Sequence, residues 1–254
     1  MLFRRIIFSA IFIGILAGLI FTAVQSFSIS PIIFAAEKFE ISAPEPVVQA
    51  HHHEAGANAH HHDAEAWGPE DGTERALYTM LSNVLAGIGF SAVLLALMSQ
   101  LQIQGITKLS LIKGFAWGLA GFIAFFAIPG IGLPPEIPGI EAPPLENRQS
   151  WWLLAVIASG VGLAILAFAK GFLKLVGLFF IALPYLVGAP HSSGPEFAHP
   201  DAAAVATLID LHHQFIVASG ISNLLFWLVI GGLSAWVLNR KILTGQLDSG
   251  HAPV

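Results

Sequence analysis

Six apolar stretches, at residues 6–30, 76–98, 111–133, 151–169, 171–189 and 215–238, decide what this chain can fold into. A bilayer core of about 30 Å is crossed by about 20 apolar residues in a helix, and each stretch is of that order. The only charges inside them are Lys113 and Lys174, both close enough to a start to reach an interface along their methylene stems. Backbone groups left unpaired in lipid cost several kcal/mol each, so a spanning segment is a helix or part of a closed barrel. No alternation of apolar and polar residues competes with the helical reading. The expected fold is all-α: a polytopic integral membrane protein of six transmembrane helices in one membrane domain. Composition agrees, with 55% hydrophobic and 11% charged residues, against about 25% charged in ordinary soluble domains. The absence of cysteine removes disulfides and thiolate metal sites together.

Basic residues orient the spans, because cytoplasmic loops collect Lys and Arg. With the N-terminus inside, the inner segments hold Arg4, Arg5, Lys108, Lys113, Lys170, Lys174, Arg240 and Lys241, and the outer segments hold Lys38, Arg75 and Arg148. Fifteen of the sixteen acids then fall outside, so a formal charge of −5 divides into −12 outside and +7 inside. Both termini are expected in the cytoplasm. The first stretch follows Arg4 and Arg5 as a signal peptide would, but it is much longer than the roughly 7–15 residues of a signal core. It is read as an anchor. Small residues four apart, as at Gly14/Gly18, Ser82/Ala86, Gly114/Gly118, Ala116/Ala120 and Ala158/Gly162, suit close helix packing. With a net negative charge and no basic tract, nucleic acid is not an expected partner.

Chemistry concentrates in the outer segments. The first, residues 31–75, is acidic and carries His51, His52 and His53 followed by Glu54, then His60, His61 and His62 followed by Asp63. Six imidazoles beside two carboxylates make a chelating surface for Co, Ni, Cu or Zn ions. Neutral imidazole is the ligand, so capture weakens below about pH 6.5. A purification tag would not be internal and doubled, and an inert low-complexity tract is the competing reading. The segment closes in Trp67-Gly68-Pro69-Glu70-Asp71-Gly72-Thr73-Glu74-Arg75, which reads as an ordered helix entry with Thr73 as cap, or as acids that feed cations to the bundle. The second outer segment, 134–150, is proline-rich and lacks histidine, which suits a stiff cover.

The third outer segment, 190–211, carries His191, His199 and Asp210 and leads into His212 and His213. Asp201 after Pro200 is placed to cap a helix running through 202–209 into the last span. On such a helix His212, Ser219 and Asn223 share one face and form a polar stripe descending from the outer surface. The second span offers Thr79 and Ser82 on a comparable face, with Asn83 beside it. Together they are a candidate transport path, or a set of hydrogen bonds between helices. No Asp, Glu or His lies deep in any span, which argues against a self-sufficient ion-coupled pump.

The Arg4-Arg5 start, the Trp67 to Arg75 closure, Leu133-Pro134-Pro135-Glu136-Ile137-Pro138-Gly139, the Arg148-Gln149 and Trp151-Trp152 junction, and Pro184 followed by Gly188-Ala189-Pro190 together resemble CbtA, a family of bacterial membrane proteins assigned to cobalt transport. The resemblance covers nearly the whole chain. It implies cobalt supply for cobalamin synthesis and a small single-span partner of the CbtB type, and it assigns no site to the histidine runs. The chain is thus expected to take up divalent metal, with cobalt or another transition ion as cargo and no tightly bound cofactor. It lacks the G-x-x-x-x-G-K-[ST] phosphate loop, so an ATP-driven step needs another protein. A metal-binding or sensing membrane protein that moves no ion is the alternative. A metalloenzyme or haem protein built on His191, His199, His212 and His213 is disfavoured, since adjacent histidines point to different sides of a helix.

Overall fold

The computed structural model describes residues 2–40 and 69–242, so His51, His52, His53, Glu54, His60, His61, His62 and Asp63 lie outside the described residues. Every regular element described is helical: α1 (Leu2–Ser28), α2 (Ser30–Glu40), α3 (Thr73–Ile103), α4 (Leu111–Phe122), α5 (Ile128–Gly132), α6 (Leu145–Phe168), α7 (Leu173–Val187) and α8 (Ala202–Val237). A π turn at Ile123–Ala127 joins α4 to α5 into one rod. Among the described residues five helical rods are long and apolar enough to cross a membrane. The sixth expected span is the 15-residue α7, about 22 Å long at 1.5 Å per residue and shorter than the bilayer core.

Glycine sets the helix pairings. A Cβ at Gly14 of α1 would stand 2.3 Å from the backbone nitrogen of Ile88, and one at Gly18 would stand 2.5 Å from Val84 Cα, so α1 and α3 run antiparallel with their backbones touching. Gly114 and Gly118 of α4 meet Gly231 and Trp227 of α8 in the same manner. Ser82 and Ala86, expected to serve such packing, are exposed; it is Gly87, beside them, that faces Gly14. Aromatic rings fill the space between α1, α3 and α8, with Phe21 stacked on Phe226 at 4.7 Å and Phe90 tilted against Trp227 at 4.7 Å.

The α6–α7 hairpin joins this bundle through the π turn. Pro129 has no N–H for the preceding turn, and a π turn widens the hydrogen-bonded ring by one residue, so carbonyls are left for other donors. Ser159 Oγ reaches Ala124 O at 3.2 Å and Tyr185 OH donates to Ile128 O at 2.5 Å. Trp151 Nε1 donates to Pro184 O at 3.1 Å, so Pro184, inside α7, is a docking point between the hairpin's two helices.

Both ends of the bundle differ from a simple loop reading. Residues 30–40 are helix, with Pro31 in the first turn, Lys38 in the last and an apolar face at Ile32, Ile33, Ala36 and Phe39. Thr73 is the first helical residue and caps nothing: the cap position is Gly72, at φ 97°, without a side-chain bond. Asp201 caps α8 as expected, its Oδ1 accepting from the Ala203 N–H at 2.9 Å. Asp201→Ala is expected to cost about 1 kcal/mol, read as a lower thermal midpoint in detergent. At 36 residues α8 is about 54 Å long, more than a whole bilayer, so its first turns project beyond the spans and carry His212 with them.

Candidate metal-handling cap

The projecting end of α8, α2, and the segments 133–144 and 188–201 pack together into a cap at one end of the bundle. Its core is Ile29, Ala36, Ile137, Phe197, Leu208 and Phe215. A lone bridge pairs Ile140 with Phe197, and the Glu141 N–H donates to Glu196 O at 3.2 Å. The two irregular segments are thereby tied to each other before any side-chain chemistry is considered.

His212 lies at the centre of this cap and is buried. Its Nδ1 is 2.5 Å from Glu196 Oε1 and its Nε2 is 3.1 Å from Pro135 O, while Phe197 packs edge-on against the ring. Both partners are acceptors. A singly protonated ring satisfies one of them and a doubly protonated ring satisfies both. With both nitrogens so engaged, no lone pair faces an open position, and a metal reaches His212 only where one contact opens. In this arrangement His212 is a pin between α8 and the two cap segments.

His199 shows a different constraint. Its Nδ1 accepts from the Asp201 N–H at 3.1 Å, which in neutral imidazole places the proton on Nε2. That Nε2 is buried without a hydrogen-bond partner, beside Phe39 and a cavity of about 200 Å³ that Glu40 also lines. His191 and His213 are exposed, and Asp210 is exposed and accepts from Gln214 at 2.8 Å. Among the described residues no group of three or more His, Asp or Glu converges as a metal site. The expected divergence of the adjacent His212 and His213 is present, one buried and one exposed.

Carboxylates surround the cap in ion pairs. Arg75 binds Glu37 at 2.6 Å and Asp71 at 3.0 Å, and Arg148 binds Glu136 at 2.5 Å. These pairs join α2 to α3 and the proline-rich segment to α6. All eleven carboxylates of the described residues lie at this end, and the described ends opposite carry Arg4, Arg5, Lys108, Lys113, Lys170, Lys174 and Arg240. The sequence profile of the family described as "Probable cobalt transporter subunit (CbtA)" matches residues 3–239, nearly the whole chain that builds this bundle and cap. The chain belongs to the CbtA family. No curated protein and no solved structure matches it.

In this CbtA chain the polar positions expected to line one path separate into two groups. Thr79 and Ser82 are exposed, and the Thr79 hydroxyl donates back to Arg75 O at 2.8 Å. Asn83 turns to α1, donating to Thr22 Oγ1 at 3.0 Å and Gln25 Oε1 at 2.6 Å. On α8 Ser219 is buried, Asn223 donates to Ser219 O at 3.0 Å, and Ser222 lies 3.3 Å from Ser28 of α1. Nothing in the sequence singles out Glu196, Pro135, Glu37 or Gln25 as partners. Glu196 is visible there only as an acid in a segment that also holds His191 and His199. Pro135 acts through a carbonyl, which every residue has.

Proposed function

We propose that this CbtA chain is the membrane component of divalent-metal uptake, with Co²⁺ as cargo, in a bacterial cytoplasmic membrane. The observation that carries the proposal is the segregation of charge along the bundle, acids at the histidine-bearing cap and bases opposite, in a chain of the CbtA family. The positive-inside rule turns the basic end to the cytoplasm and the cap outward. On this reading α7 is a sixth crossing: it returns beside α6 from the tight turn at Gly171 to the level of Trp151, where Pro184 meets the indole. Both termini are then cytoplasmic.

His51–His53 and His60–His62 fall in the sequence between Glu40 and Pro69, two described residues that both lie at the acidic end. Imidazole and carboxylate there raise the local concentration of divalent cations. Ions then pass beside His212 toward the polar positions on α8 and α1, and no step in this reading is enzymatic. A small single-span partner of the CbtB type completes the transporter. The test is Co²⁺ flux into proteoliposomes holding this chain with and without that partner, and Co²⁺ accumulation in cells with and without the gene. Equal accumulation at limiting cobalt sinks the proposal.

Replacing all six histidines of the two runs by Ala is expected to lower accumulation at limiting Co²⁺ while leaving it near normal at saturating Co²⁺, as loss of a capture surface requires. Loss at every concentration assigns the runs to the path itself. A second reading, a binding or sensing protein without flux, is favoured by the engagement of both His212 nitrogens and predicts metal binding with no flux in either proteoliposome.

A further inference from the structure

We propose that the groove between α3, α4 and α6 at the basic end is a site for one anionic phospholipid, with an acyl chain along the groove and the phosphate at Lys113. The hairpin of α6 and α7 is fastened to the rest of the bundle near the cap, through Ser159 and Tyr185. Beyond Ser159, toward the basic end, α6 stands off from α3 and α4 and leaves a cavity of about 550 Å³.

Its walls divide by chemistry. Phe90, Phe125 and Trp227 close the inner end, small residues including Ala120 and Ala164 line the length, and the polar groups Gln100, Thr107 and Lys113 sit at the mouth. Along α4 and into the π turn the lining runs from Lys113 to Ala124, about 16 Å at 1.5 Å per residue. Half of a hydrocarbon core of about 30 Å is nearly the same length. The groove therefore has the depth of one leaflet, with its charged mouth at the level of a headgroup.

Charge selects the headgroup. Lys113 Nζ is 3.2 Å from Thr107 Oγ1, and the two present a cation and a hydroxyl at the same opening. Ser110 caps α4 immediately below, so the positive end of a helix faces the same region, and the first turn holds no acid. Lys108 and Lys170 flank the mouth in the two turns that bound it, and no described carboxylate lies at this end. Basic pockets between helices on the cytoplasmic side suit phosphate headgroups. A bound lipid also fills a space that separated helices cannot close, and it wedges the hairpin against α3 and α4. The inference needs only that the chain spans a membrane with this end at an interface, so it stands apart from the cobalt reading.

The full chain in phosphatidylcholine vesicles, doped at equal mole fraction with brominated phosphatidylglycerol or brominated phosphatidylcholine, tests it. Bromine quenches indole on contact, and Trp117 and Trp227 line the groove. The anionic lipid is expected to quench several-fold more steeply than the zwitterionic one. The excess should shrink in Lys113→Gln, vanish in Ala164→Phe, which fills the groove from an exposed helix position, and persist in Ala182→Phe on the exposed face of α7. Equal quenching by both lipids, or an excess untouched by Ala164→Phe, overturns the site. Native mass spectrometry of the same samples should show one anionic lipid per chain. A two-chain mass that Ala164→Phe abolishes instead assigns the groove to a second copy and overturns the lipid.

Discussion

Gly118→Leu is expected to dismantle the bundle. A single Cβ at that position stands 2.3 Å from the Trp227 carbonyl oxygen, and the obstacle is backbone, which cannot rotate away as a side chain can. Ordinary overpacking in a core costs about 1–3 kcal/mol, and a Leu forced against a neighbouring helix backbone exceeds that range. The loss spreads, because α8 also carries Phe226 and Trp227 into the aromatic packing with α1 and α3. Size-exclusion profiles and thermal aggregation in mild detergent read the effect. Gly89→Leu is the control: nothing lies within 4 Å of its Cβ position, and a helix favours Leu over Gly. If the two variants are equally stable, close backbone contact is not what assembles α4 on α8.

His212→Ala is expected to untie the cap without unfolding the bundle. It removes the contacts to Glu196 and Pro135 together, and a hydrogen bond to a charged group contributes about 1.5–3 kcal/mol. Since 1.4 kcal/mol is about tenfold in population, opening of the cap should rise by roughly ten- to a hundredfold. The Glu141 amide, bonded to Glu196 O across the two cap segments, reports this directly as faster hydrogen exchange. On the proposed uptake reading, in which ions pass beside His212, Co²⁺ accumulation should fall in parallel. His213→Ala, at an exposed neighbour, should change neither. Accelerated exchange with unchanged accumulation separates the pin from transport and removes His212 from the proposed path.

These expectations rest on features of unequal visibility in the chain. Membrane character and the helical class were legible, since apolar length and the absence of interior charge are one-dimensional properties. The start of α8 was legible too, because Asp201 after Pro200 is a local signal whose bond closes within two residues. The helix at Ser30–Glu40 is too short to stand out among stretches of membrane length, although its apolar positions have helical spacing.

The site was less legible than the fold. A histidine's place in a stripe says which face it occupies and nothing of what meets that face. Thr79 and Ser82 share a face and are exposed, whereas Asn83, one residue on, is held by α1. His212 meets a carbonyl 77 residues away and a carboxylate 16 away, and no local pattern encodes either pairing.

The sequence by itself determined that the chain is a set of apolar helices with most acids and most bases in different connecting segments. Hydropathy and charge act residue by residue against lipid and water, so they can be read without knowing any contact. Only the tertiary structure decided which glycines bring backbones together, that the α6–α7 hairpin is fastened at one end and leaves a groove at the other, and that His212 has both nitrogens engaged. Each of those depends on the distance between groups far apart in the chain, and packing alone sets such distances.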